Sequence, residues 1–269
     1  MLGTLALWAH LTLAGGMPPD HTRASTDPPP TAPTGYQLQE TPDDLGDAFS
    51  DQELDILELL NRVDRERMPR QDHLVIPDRF ADDPLDHSPF PQRVEALADE
   101  PKALLVHQPV QAWAAYEDGE LVRWGPVSTG REAHPTPSDR FFLTWRSEGR
   151  TSTVNPDWYL EWYFNFHNER GLSFHQYEMP GRPASHACVR LLERDARWLY
   201  DWGQGWTLDE GEREVLEEGT PLWIMGEYDF DAPPPWLDED TPHPSISTSE
   251  IEKWVEGEGP GVDLGDAGR

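Results

Sequence analysis

The chain has 269 residues, enough for one or two domains, and its 51 Asp and Glu against 21 Lys and Arg give a formal charge of -30. A field that negative argues against nucleic acid as a partner, and such a surface is tolerated best where salt screens its self-repulsion. One cysteine, Cys188, excludes an intramolecular disulfide, while 12 Trp, 9 Phe and 7 Tyr supply aromatic material for a core or a substrate cleft.

In chain order, residues 1–16 hold an apolar run, Leu2 to Gly15, that ends in small residues like the core of an export signal. No basic residue precedes it, and 14 residues are too few for a membrane span. This run points to an exported protein of the periplasm or cell envelope. Residues 17–49 carry seven prolines and read as a linker that cannot offset its ordering entropy. Ser50 and Glu53 then form a capping-box pattern ahead of apolar positions at helical spacing, Leu54, Leu57 and Leu60. His73 to Pro77 reads as a short strand. The helix end Leu59-Leu60-Asn61-Arg62 with that strand resembles the second half of a LysM glycan-binding module, which implies glycan contact through residues 50–77; a helical stalk is the competing reading. Residues 78–100 form a connector.

From Ala103 the pattern is that of strands, with Glu117-Asp118-Gly119 as a hairpin turn between 111–116 and 120–127. Further strands are expected at 140–145, 162–166, 172–175 and 221–228. Two helices are expected at 192–202 and 209–217, each followed by a glycine. The expected fold is mainly β, a sandwich or mixed sheet with two short helices, spanning residues 101–230. Residues 231–269, with ten acidic residues against two basic, read as a disordered tail.

Cys188 lies in Pro183-Ala184-Ser185-His186-Ala187-Cys188-Val189-Arg190-Leu191, and His175 lies 13 residues upstream. A thiol acts as a nucleophile only as thiolate, and histidine is its usual activator, although a lone Cys is often a small buried hydrophobe. Five segments occur in order: Val106 to Gly130, which includes Tyr116 to Val122 and Pro126 to Gly130, then His134-Pro135-Thr136-Pro137, Gly171 to His175, Ser185 to Arg190, and Gly219 to Ile224. Together they resemble the YkuD-type L,D-transpeptidase catalytic domain. The resemblance implies that Cys188 attacks the third residue of a peptidoglycan tetrapeptide stem, that His175 is its base and acid, and that D-Ala leaves before an amine resolves the thioester. No cofactor is implied. His186 is a candidate for oxyanion support or loop orientation, lying on the face of Cys188 if the segment is extended. Arg190 is a candidate carboxylate clamp, Ser185 a loop-bracing residue, and Trp158 and Tyr159 candidate walls of the cleft beside Asp157. Ala187 stands where the family has glycine, so the loop either avoids positive φ there or accepts strain. A loop that presents Cys188 at a helix start would also make its thiol more acidic than the free value of about 8.5.

Water in place of the amine would make the same site an L,D-carboxypeptidase or hydrolase. A wall-binding protein without catalysis is the other alternative. A metal held by His175, His186 and Cys188 lacks a fourth ligand at suitable spacing, and no glycine loop suggests a nucleotide.

Overall fold

A computed structural model describes residue 33 and residues 35–259. The leader, the linker up to residue 32 and residues 260–269 lie outside the described residues.

The chain first forms a strand–helix–helix–strand unit. Strand β1 (Tyr36–Glu40) runs into helices α1 (Leu45–Ala48) and α2 (Asp51–Asn61) and then β2 (His73–Pro77), which pairs antiparallel with β1. The capping box that starts α2 is complete: Ser50 Oγ accepts from the Glu53 amide, and the Glu53 carboxylate accepts from the Ser50 amide. Asn61 ties the end of α2 to β2, accepting from the Val75 amide at 2.7 Å and donating to the Val75 carbonyl at 3.1 Å. The linker reading of 17–49 is therefore corrected for residues 36–49. Tyr36 and Leu38 alternate along β1 and pack on the core, a signal that the surrounding Pro, Asp and Thr obscure.

Strands β3 (Ala103–His107), β4 (Ala112–Glu117), β5 (Glu120–Pro126) and β6 (Asp139–Phe142) belong to one sheet. The Asp118-Gly119 turn joins β4 to β5 with both residues at positive φ, 48° and 80°, the backbone that a tight hairpin needs. A second sheet contains β7 (Arg146–Thr151), β8 (Tyr159–His167), β9 (Leu172–Gln176) and β10 (Val189–Leu191) in the order β10-β9-β8-β7, with β10 parallel to β9. Helix α3 (Glu193–Trp202) follows, then a hairpin of β11 (Thr207–Leu208) and β12 (Val215–Glu217), and then β13 (Pro221–Met225). Strand β13 enters the first sheet beside and parallel to β3, giving the order β5-β4-β3-β13-β6.

The expected helix at 209–217 is not formed. The Asp209 carboxylate accepts from the amides of Gly211, Arg213 and Glu214 and folds the segment into the turn of the hairpin; the stretch has charge but no apolar stripe to bury as a helix.

The five-stranded sheet is covered on both faces, which is why β3 and β13 read as continuous apolar runs. One face packs Leu104, Val106, Leu222 and Ile224 against Phe164, Phe174 and Val189 of the second sheet. On the other face, Leu105, Ala114, Tyr116 and Met225 meet Ile56, Leu59 and Leu60 of α2 and a C-terminal strap. That strap corrects the reading of 231–269 as disordered. Helix α4 (Thr248–Val255), capped by Ser247, buries Ile251 and Trp254, and its Glu250 meets the ring of His107 at 2.9 Å. The buried ring of Trp236 lies 5.1 Å from the fully buried Arg62 guanidinium, which also donates to the carbonyls of Val110, Leu59 and Leu60. Each such apolar side chain stabilises the fold by roughly 1.5–3 kcal/mol on full burial, enough to hold an otherwise acidic segment in place. No helix of the described residues is long and apolar enough to cross a membrane.

Candidate active site

The parallel pair β9 and β10 builds the site. Along β9, Phe174 enters the core between the sheets while Ser173 and His175 share the opposite face. Cys188 immediately precedes β10, where Arg190 lies in register with His175. Cys188, His175, Ser185, His186, Arg190 and Trp158 all line one slot of about 40 Å³, completed by Ser152, Val154, Leu160 and Tyr177.

Ser173 Oγ donates to Cys188 Sγ at 3.6 Å, and Sγ faces the Gly171 carbonyl at 3.8 Å. His175 Nδ1 lies 2.9 Å from the Gln176 carbonyl. A carbonyl only accepts, so Nδ1 carries the hydrogen and Nε2 holds the lone pair. Burial lowers the His175 pKa to about 4, with the Gln176 carbonyl opposing and the charge of Arg190 adding to the shift. Burial also pushes the Cys188 thiol up, against the smaller opposing effects of Ser173 and Arg190.

This corrects the expectation of an acidic thiol. No helix begins at Cys188: Val189-Arg190-Leu191 pairs with β9 as a strand, and α3 starts only at Glu193. The sulfur is thus deprived of the helix dipole and enclosed in a poorly solvating site.

The loop before the sulfur is braced from three sides. Ser185 Oγ donates to the Cys188 carbonyl. Thr136 Oγ1 accepts from the Gly130 amide at 2.8 Å and donates to the Ala187 carbonyl at 3.0 Å, so the Pro-Thr-Pro loop clasps the cysteine loop. Only glycine fits at 130, because a Cβ there would lie 2.1 Å from the His134 carbonyl oxygen. Ala187 has φ of 77°; the loop keeps the left-handed backbone and accepts the strain of a Cβ. That residue also breaks the alternation expected between His186 and Cys188, although both still line the slot.

Arg190 donates to the carbonyls of Glu178 and Ala184, and its guanidinium lies 4.5 Å from the Tyr177 ring centroid. Trp158 stands 5.0 Å from the ring of His186. Tyr159 is not part of the slot; it is 57 % exposed and lies over Gly149, because neighbours at the start of β8 point to opposite faces. Sequence reasoning missed Ser173 and Tyr177. The available signal was their spacing of two from His175, Ser173 within β9 and Tyr177 one residue beyond its end.

The four-stranded sheet of this mainly β fold thus brings a thiol and a neutral imidazole together at one parallel strand pair, an arrangement chemically able to support acyl transfer through sulfur. Residues 101–224 match the family model of the L,D-transpeptidase catalytic domain, YkuD. Similar solved structures include L,D-transpeptidases from Stackebrandtia nassauensis (22 % identity, 48 % of this chain and 58 % of that one, TM-score 0.39) and Xylanimonas cellulosilytica (24 %, 46 % and 60 %, 0.36). L,D-transpeptidase 1 of Mycobacterium tuberculosis is also similar (18 % identity, 46 % of this chain and 63 % of that one, TM-score 0.35). The chain thus spans less than two thirds of each of these structures. No curated protein matches the sequence.

Proposed function

We propose that this protein is an exported peptidoglycan L,D-transpeptidase that uses Cys188 as nucleophile and His175 as base and acid. The observation that carries the reading is the shared slot in which the sulfur of Cys188, held by Ser173, stands with a neutral imidazole whose free nitrogen is a proton acceptor. With thiol and imidazole both neutral at rest, His175 Nε2 takes the thiol proton as sulfur attacks the carbonyl carbon of the third stem residue. The tetrahedral oxyanion collapses with cleavage of the amide bond. D-Ala departs as an amine protonated by the imidazolium, leaving a thioester on Cys188. An acceptor amine then attacks, His175 takes its surplus proton, and collapse returns that proton to the thiolate as the cross-link forms. A second cleft of about 680 Å³, between α2 and α3, shares Tyr177 with the slot and offers room for the second reactant. Glycan contact through residues 50–77 belongs to the same proposal; loss of sacculus co-sedimentation on replacing exposed residues of that unit would support it.

The test is intact-protein mass spectrometry after incubation with a disaccharide-tetrapeptide, comparing wild type with Cys188→Ala, followed by chromatography of the muropeptides. A thioester adduct on wild type alone, with dimeric product, supports the transpeptidase. An adduct that yields only tripeptide assigns water as acceptor and makes the protein an L,D-carboxypeptidase. No adduct and no turnover would sink both.

A further inference from the structure

His186 lines the slot of Cys188 and is flanked by the stacked ring of His134 at 4.7 Å and the ring of Trp158 at 5.0 Å. Its Nε2 lies 2.9 Å from a guanidinium nitrogen of Arg131. A guanidinium donates and never accepts, so Nε2 must present its lone pair, the ring must be neutral, and the hydrogen must sit on Nδ1. That Nδ1 is shielded from solvent and has no hydrogen-bond partner among the described residues. A buried N–H without an acceptor is a group that a native site rarely leaves unmatched.

Arg131 is itself fixed to the cysteine loop. Its amide donates to the Ser185 carbonyl at 3.1 Å, its carbonyl accepts from the His134 amide at 2.8 Å, and the preceding Gly130 bridges to Ser185. The donor-only guanidinium is therefore delivered by the same turn that braces the nucleophile. Burial and then the charges of Arg131, His134 and Arg190 oppose protonation of His186.

We propose that Arg131 is a positioning residue that locks His186 in the Nδ1–H tautomer, and that this N–H donates to the oxygen of the acyl group carried by Cys188. The donor role rests on the acyl-transfer reading above; the tautomer does not. In that role Nδ1–H meets the carbonyl oxygen of the stem as it becomes an oxyanion and afterwards the thioester oxygen, adding to the backbone donors of the loop.

Two readouts test it. Long-range 1H–15N spectra of the free protein should show His186 protonated on Nδ1, and Arg131→Ala should shift the ring toward the other tautomer. Single-turnover acylation of Cys188 by the disaccharide-tetrapeptide should fall about 100-fold in Arg131→Ala, the loss typical of one oxyanion donor. Arg131→Lys, another donor-only cation, should restore most of the rate. Iodoacetamide alkylation of Cys188, which forms no oxyanion, should stay within about twofold of wild type and so separates this role from a merely structural one. Hydrogen on Nε2 in the wild type, acylation unchanged in Arg131→Ala, or alkylation falling in parallel would overturn the proposal. A wild type that keeps the Nδ1–H tautomer yet never acylates would instead remove the acyl-transfer reading and the donor role with it.

Discussion

Cys188 and His175 should behave as a neutral pair until a substrate arrives. Burial holds the thiol above its ordinary range and the imidazole near 4. Charging the imidazole is about 2.5 pH units harder than for a free ring of pKa 6.5, or roughly 3 kcal/mol at 1.36 kcal/mol per unit, and the raised thiol adds to the cost of moving a proton from sulfur to ring at rest. At neutral pH the thiol therefore rests protonated. The assay is the rate of iodoacetamide alkylation followed by intact mass from pH 4 to pH 10. The rate should rise about tenfold per pH unit up to at least pH 9 with no plateau, because only thiolate reacts. His175→Ala should trace the same profile. Acylation by a tetrapeptide should behave differently: it needs a base during attack, so His175→Ala should lower it by about 10²–10⁴, and its acid limb should lie near pH 4, where the imidazole becomes charged. An alkylation plateau between pH 5 and 8 that His175→Ala abolishes would refute the reasoning, since it would reveal a preformed thiolate–imidazolium pair.

Ser173→Ala removes a hydrogen bond given to the sulfur, so the alkylation profile should move to higher pH and the rate at pH 8 should fall severalfold; an unmoved profile would mean that the contact does not favour the thiolate. At Ala187, relief of left-handed strain by glycine, about 1–2 kcal/mol, is offset by its greater freedom when unfolded and by a lost methyl group, so urea melts of Ala187→Gly should lie within about 1 kcal/mol of wild type. Ala187→Val, with a branched side chain at the same φ, should cost about 2 kcal/mol or more. Ile251→Ala in α4 should lower stability by about 2–5 kcal/mol in the same assay, whereas a detached tail would register nothing. Burial holds His175 and His243 at pKa values near 4 and 3, below the unfolded value of about 6.5, so the unfolded chain binds more protons in that window. Their stabilisation is complete above pH 6.5 and lost as pH falls, each contributing up to about 1.4 kcal/mol per unit; thermal melts from pH 7 to pH 4.5 should show it, and His243→Phe should flatten the slope.

What the sequence made legible was local. The Ser50-Glu53 box, the Asp118-Gly119 hairpin and the apolar runs of β3 and β13 each carry their signal within a few neighbours, and the fold class followed from them. What it hid depends on partners distant in the chain. Tyr36 and Leu38, or Trp236, Ile251 and Trp254, are sparse anchors in acidic, proline-rich surroundings, and become core residues only where a sheet face lies uncovered. The glycine after 209–217 marks no helix end, because a single Asp209 side chain folds that segment as a turn. At the site, Cys188 and His175 were visible by type and spacing. The acidity of the thiol was not, since it depends on burial and on whether a helix or a strand follows.

The unit that shapes this slot is larger than the segment matching the family. The strand of chain that leaves His175 and returns as the cysteine loop passes against residues 62–67, and the contacts there are specific. Asp64 exchanges two hydrogen bonds with the Met179 backbone, its amide donating to the carbonyl at 3.0 Å and its carboxylate accepting from the amide at 2.9 Å, while Arg67 pairs with Glu178 at 2.6 Å and the Arg62 carbonyl accepts from the Gly181 amide. Tyr177, which walls the slot and lies under Arg190, sits at the start of that braced stretch. Arg62 is buried in turn beneath Trp236 of the strap, so the N-terminal unit, the return loop and the C-terminal segment hold one another in register. Each neutral hydrogen bond contributes only about 1 kcal/mol, but between Met179 and Gly181 the return loop takes its backbone partners from residues 62–64, with Val63 bridging Pro180. The geometry of Cys188 therefore depends on residues more than 100 positions away, outside the segment 101–224 that matches the family model.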